Sequence, residues 1–360
     1  MMPRTPMILG LLVTLAGCSQ TVPTRQNPSS APTDPATASG DPAAPPGEPA
    51  AKKTVVTPPV TPAIPDPTPT PSTPKAPSTP TGPRPAADPA CADVPAADVA
   101  AKMYAWPRRA AAYESWCARH PAPAGFTRVA AAPGTYAHWL RHLPALPVGT
   151  PVKDYQGSSL PSATAMTLSV IDLDVGTQDL QQCMDTIIRL RGEWHWWRGT
   201  ADAVKFRYAG GLYFGYADWR AGLRPEKIAG RTRLEPKAAA SSGRKSFEKY
   251  LRFMFAMTGT AHNNTEQPVT AAALAPGDFF IEPSPSAAVL GHALIVLDVA
   301  RDAKGALRAV IAQGYTPARD LHVLRAPDGT AWFALDPAQP VTFPSWGNPF
   351  GWNQVMRFRY

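Results

Sequence analysis

Apolar positions recur at helical spacing from Asp179 to about Trp197: Cys183, Ile187, Leu190 and Trp194 share one face, and Leu180, Met184 and Ile188 widen it. Thr177 or Asp179 is the expected cap of this helix. A second amphipathic run over Ser246 to Met257 carries Phe247, Tyr250, Leu251, Met254 and Phe255. A shorter one over Thr135 to Leu143 carries Tyr136, Trp139, Leu140 and Leu143, and Pro144 and Pro147 end it. Ala97 to Trp116 also follows a helical pattern. Short strands are predicted at Gly125 to Val129, Ala165 to Leu173 and Val204 to Tyr208, the last followed by a Gly- and aromatic-rich loop through Trp219 and then a basic loop. The period then changes. Asp278 to Ile281, Ala293 to Val299, Leu307 to Ala312, His322 to Leu324 and Val355 to Phe358 read as strands, with Lys304-Gly305 turning the chain between two of them into an antiparallel pair. Helices first and an antiparallel sheet afterwards make an α+β fold.

Upstream the pattern fails altogether. Between Cys18 and Ala90 lie 21 of the 44 prolines, interleaved with Ala, Thr, Ser and Asp, while all ten Trp and all ten Tyr fall after Met103. Such a stretch has too little apolar surface for a core, so residues 18–90 are expected to be a disordered, extended tether reaching about 200 Å at full stretch. The start of the chain has its own signature: Arg4, an apolar run from Met7 to Leu15, then Leu15-Ala16-Gly17-Cys18. This is the layout of a secretory signal over residues 1–17, too short to cross a bilayer, and its last four residues match a lipobox. Cys18 is therefore the expected lipidation site, anchoring the chain to a membrane. Ser19 is similar to the second mature residue of Gram-negative lipoproteins sorted to the outer membrane.

Residues 91–360, about 270 in number, suffice for one sizeable globular domain. The net charge of +8 is spread over scattered bases and clusters such as Arg231 to Arg244, with no nucleic-acid motif; anionic wall polymer, lipid headgroups or plain solubility account for it. Removing Cys18 from the cysteine count leaves Cys91, Cys117 and Cys183, an odd number for an oxidising compartment. Cys91 and Cys117 flank the first helical pattern and are expected to form a disulfide, which leaves Cys183 free.

A free thiol near the start of a buried helix, with a histidine-bearing antiparallel sheet downstream, is the arrangement of papain-like cysteine hydrolases. A helix N-terminus stabilises the thiolate, an imidazole takes its proton, and a third polar group orients the ring. Ala275-Pro276-Gly277-Asp278-Phe279-Phe280 followed by Gly291-His292-Ala293-Leu294-Ile295-Val296 resembles the segment of NlpC-type cell-wall peptidases that bears their catalytic histidine. In that comparison His292 is the base, Cys183 the nucleophile and Gln313 the orienting residue, with His322 the alternative. The chain departs from that pattern in having Gln182-Cys183-Met184-Asp185 where those peptidases carry a Ser-Gly pair after the Cys.

Almost the entire domain resembles a second family. Tyr136 to Pro144, Asp179 to Asp185 with Arg189-Leu190-Arg191, Gly291-His292-Ala293 and Ala312 to Arg319 look like the bacterial domain-of-unknown-function family 4846, a resemblance that implies no activity. Plainer uses compete for each residue. Cys183 suits the packed stripe of its helix, His292 a core position, Gln313 a strand end, and His322 the side opposite the leucines of its strand. Trp194, Trp196 and Trp197 suit either core packing or stacking on sugar rings. His138 and His142, one helical turn apart, are a weak zinc signal, and no metal or other cofactor is expected. Two functions follow as expectations: an envelope-anchored cysteine hydrolase or acyl transferase acting on peptidoglycan stem peptide or a similar amide or ester, or a non-catalytic envelope binding or scaffolding lipoprotein with Cys183 buried.

Overall fold

The computed structural model describes residues 88–91, 97–110, 112–286 and 289–360. The expectations for the leader, for Cys18 and for the tether up to residue 87 lie outside them. Among the described residues, nine strands form one antiparallel sheet. They are β1 (Phe126–Arg128), β2 (Thr167–Val170), β3 (Gln267–Pro268), β4 (Phe279–Glu282), β5 (His292–Asp302), β6 (Leu307–Gln313), β7 (His322–Leu324), β8 (Trp332–Leu335) and β9 (Val355–Arg357). Their main order is β2-β7-β6-β5-β4-β9-β3, with β1 pairing the far end of β5 and β8 pairing β6. β4 to β7 run as a meander, and Gly305 takes the positive φ of 84° that the β5–β6 turn needs. An antiparallel meander brings the start of one strand beside the end of the next. Thus His292 opens β5, Gln313 closes β6, and Gln313 pairs in register with His322, the first residue of β7.

The long strand β5 is buried on both faces, which explains its unbroken apolar run. On one face Ala293, Ile295 and Leu297 join a core with Met184, Ile187, Ile188 and Leu190 of the helix α3; on the other, Leu294, Val296 and Val299 pack with Phe280, Phe343 and Phe350. The four main helices are α1 (Ala97–Met103), α2 (Tyr136–Arg141), α3 (Cys183–Trp197) and α4 (Arg244–Met257). α4 meets α3 through its predicted stripe, with Phe247, Tyr250, Leu251 and Met254 all buried. α2 and β1 are fastened to β5 by charge. Asp298, fully buried, accepts two hydrogen bonds from Arg141 (2.7 and 2.8 Å) and one from Arg128, while Arg128 Nε also donates to Asp88 (2.7 Å). Two arginines against two carboxylates leave no uncompensated buried charge.

The folded part therefore starts before Cys91, because Asp88 is already bonded into it. Cys91 and Cys117 are bridged, with Cα atoms 5.8 Å apart, and Cys183 is the free cysteine among the described residues. Some elements differ from the sequence expectations. The helix expected from Asp179 starts at Cys183, because the Asp179 carboxylate is occupied by the Ala318 amide (2.7 Å) and the Gln182 side chain (3.0 Å). Asp185 instead caps the helix by accepting from the Gln182 amide at 3.2 Å. The strand expected over Ala165 to Leu173 is shorter, since Pro161 starts a helical turn that runs to Ala165. The basic loop is a hairpin, Leu223–Ile228 with Arg231–Pro236, turned by Ala229 and Gly230 at positive φ. It lacks the one-sided apolar alternation that marks a strand, because neither of its faces is buried.

Candidate functional site

The site lies where the N-terminus of α3 meets the β5, β6 and β7 ends of the sheet. Two glycines make the approach possible. A Cβ on Gly314, just past β6, would stand 2.5 Å from Thr186 Oγ1 and 3.0 Å from the Gln182 carbonyl, so this position lets the first turn of α3 close on the strand end. A Cβ on Gly291, just before His292, would stand 2.4 Å from the Glu282 carbonyl and 2.5 Å from the Ser284 amide.

His292, Gln313 and His322 form one chain of hydrogen bonds whose direction is determined by its last member. His322 Nδ1 lies 2.8 Å from the Asp320 carbonyl, which can only accept, so Nδ1 carries the proton. His322 Nε2 then accepts from the Gln313 amide NH2 at 3.2 Å. That leaves Gln313 Oε1 to accept from His292 Nε2–H at 2.8 Å and from the Ser345 hydroxyl at 2.8 Å. The neutral His292 ring thereby carries its proton on Nε2 and its lone pair on Nδ1. Burial pulls both histidines down to about 4, with Gln313 opposing it at His292 and the Asp320 carbonyl at His322, so both rings are neutral at neutral pH. His322, for which solvent exposure was an open alternative, is fully buried. Both candidates for the third residue thus belong to a single relay.

Aromatic rings hold the His292 ring in place. Trp346 stacks on it at 4.7 Å between centroids and 24° between planes, and Tyr315 lies at 4.9 Å. Trp346 is itself held by its indole N–H donating to Glu282. Tyr315 donates to the Ser345 carbonyl at 3.2 Å.

Cys183 is the first residue of α3 and only 6% exposed. Its sulfur faces the backbone N–H of Ala293, the residue after His292, as well as the N–H groups of Cys183 and Met184 at the helix start. Tyr315, in ring contact with His292, is also an electrostatic neighbour of Cys183. The thiol and the imidazole therefore reach the start of β5 one backbone step apart. The thiol comes from the side of α3, and the ring, by strand alternation, comes from the side of Leu294 and Trp346. Burial pushes the Cys183 thiol up to about 12, and the nearby Asp185 adds to the rise while the three backbone N–H groups oppose it. At rest the pair is thus a thiol and a neutral imidazole.

A cavity of about 340 Å³ opens beside the thiol, its wall including Gln182, Cys183, Asp185, Thr260, Gly291 and Thr316. Gln182 Oε1 accepts from the Thr316 hydroxyl at 3.1 Å, tying the helix start to the segment after β6. Asp185 is 5% exposed, its Oδ1 has no hydrogen-bond partner among the described residues, and burial raises its carboxyl well above the usual range. Sequence reasoning assigned no role to Asp185, Ser345 or Trp346, and quoted Tyr315 only within a motif. Ser345 and Trp346 follow the end of the Gln313 strand by 32 and 33 residues, with no periodicity to point at them.

The other candidates are engaged elsewhere. His138 and His142 have ring centroids 4.5 Å apart, but Arg141 and Arg128 stand close to His142, and no group of three or more potential metal ligands occurs among the described residues. Trp194 packs on Tyr136 at 5.5 Å and Trp196 stacks on Phe247 at 5.0 Å. No described helix is long and apolar enough to cross a membrane.

Among known protein families, the model described as a domain of unknown function (4846) matches residues 117–357. No curated protein and no solved structure matches the chain.

Proposed function

We propose, from the premise that this chain belongs to the domain-of-unknown-function family 4846, that it is a papain-like cysteine hydrolase or acyl transferase of the bacterial envelope. In this reading Cys18 carries the lipid anchor, in the outer membrane of a Gram-negative cell, and the proline-rich tether lets the domain reach peptidoglycan stem peptides or a similar amide or ester. Cys183 Sγ attacks the carbonyl carbon while its proton passes to Nδ1 of His292. The backbone N–H groups at the start of α3 hold the oxyanion, and the leaving amine or alkoxide collects the proton from His292. Water or an acceptor amine then cleaves the thioester. Gln313 and His322 keep Nδ1 the basic nitrogen throughout. That relay is the observation that carries the reading, because it leaves the lone pair of a buried imidazole on Nδ1 at the start of the strand whose next backbone N–H, that of Ala293, meets the free thiol.

A second reading has its own support. A thiol that is 6% exposed and pushed up to about 12, beside the acidic Asp185, suits a packed residue in a non-catalytic binding or scaffolding lipoprotein. The two differ in how Cys183 reacts with iodoacetamide as pH changes. With His292 as base, neutral above about 4, the alkylation rate is level from pH 6 to pH 8. A His292→Gln variant then restores the rise of about tenfold per pH unit expected when only the thiolate of a weakly acidic thiol reacts. A wild-type rate that climbs as steeply as the variant's removes the base from the mechanism. A thiol that reacts only after unfolding establishes the packing role.

A further inference from the structure

The cavity beside Cys183 is acidic and has a built polar end. Its charged lining consists of Asp179 and Asp185; His262 is its one other titratable side chain besides the thiol, and burial lowers it toward the neutral form. Among the described residues, no lysine or arginine lines it. Asp179 already accepts from Ala318 and the Gln182 side chain, whereas Asp185, buried in the wall with one oxygen committed to the helix cap, keeps Oδ1 without a partner. Leu180, Phe255 and Leu290 supply apolar wall around these groups. Burial holds the Asp185 carboxyl toward its protonated form, so a small organic cation seated in this half-apolar pocket draws that proton off and pairs with the carboxylate, whereas an anion is disfavoured.

We propose that this cavity seats a primary ammonium group of the substrate, the free α-amine of an aminoacyl or peptidyl unit with a short side chain, against the Asp185 carboxylate. The substrate class rests on the thiol-hydrolase reading; the ammonium site itself does not. Binding supplies the partner that Oδ1 lacks and offsets the negative charge that opposes thiolate formation at Cys183, so the thiol becomes more reactive when the correct substrate is seated.

Calorimetric titration of the intact protein at pH 7 with alaninamide, a cation, and with N-acetylalaninamide, its neutral counterpart, tests the site. Alaninamide is expected to bind at least about tenfold more tightly than the acetylated compound. Asp185→Asn, which keeps an acceptor for the helix cap, is expected to remove that preference. Ala261→Lys, at an exposed position of the cavity wall, is expected to block binding with its own ammonium group while leaving the fold intact. Equal binding of the two compounds, no binding of alaninamide up to about 50 mM, or a preference unchanged in Asp185→Asn overturns the proposal. Cys183→Ala should still bind alaninamide, so a failure of the thiol chemistry and a failure of the ammonium site are read separately.

Discussion

Gln313 is the residue on which the polar chemistry of the site depends, since its amide gives one hydrogen bond to His322 and receives two, from His292 and Ser345. An amide is uncharged and carries a donor and an acceptor on opposite arms of one plane, so it can pass orientation from one neutral imidazole to another. A carboxylate at this place accepts from His292 but cannot donate to His322. Replacing Gln313 with Leu leaves two buried imidazole nitrogens without partners. The expected loss is about 2–5 kcal/mol of unfolding free energy in a denaturant titration. An unchanged midpoint indicates that the relay contributes nothing to stability. Of this network, His292 and Gln313 were legible in the sequence because each sits at a strand end within a short motif. His322 was legible only as a candidate, for in a three-residue strand alternation cannot tell a buried polar position from a solvated one. Asp185 was unreadable because what sets it apart is an oxygen that no described residue bonds, and a sequence pattern carries no information about missing partners.

At the scale of elements, α3 and β5 meet through a surface that the sequence marks well on both sides. The helical stripe and the two-sided apolar run each announce a buried face. Their junction is controlled by glycines. Gly291→Ala puts a methyl carbon against backbone atoms of Glu282 and Ser284, which side-chain rotation cannot relieve. Gly192→Ala, in the middle of α3, meets the far end of the Leu251 side chain at 2.9 Å and gains about 1 kcal/mol of helix propensity. Thermal unfolding is expected to separate them: Gly291→Ala loses more than about 2 kcal/mol, and Gly192→Ala stays within about 1 kcal/mol of wild type. Equal melting temperatures argue against backbone crowding at the histidine strand. Elements lacking a buried face were harder to read. The hairpin Leu223 to Pro236 looked like a loop, and the strands Trp332–Leu335, Val341–Phe343 and Trp346–Phe350 went unassigned because they are short and interrupted by turns.

Over the whole molecule, the bridge between Cys91 and Cys117 closes a 26-residue separation beside the Arg128, Asp88 and Asp298 cluster, so covalent and ionic ties converge where the chain enters the domain. Replacing both cysteines with Ala restores the loop entropy of the unfolded chain and is expected to cost about 3 kcal/mol, read as a lowered guanidinium midpoint. A midpoint equal to that of the wild type shows that the entry of the chain is held by the ion pairs alone. A resemblance between motifs that keep their order pointed to the family, and composition and periodicity determined from the sequence the α+β class and the antiparallel pairing of β5 with β6. Those properties follow from local rules, namely how much apolar surface a stretch holds and at what period it recurs. Only the tertiary structure decided that Gln313 links His292 to His322, that Trp346 stacks on His292 while Ser345 bonds Gln313, and that the thiol meets the N–H of Ala293, the residue after His292, beside an acidic cavity. Each depends on which strand ends the meander brings together in space, and distances across a sheet are invisible to a pattern read along the chain.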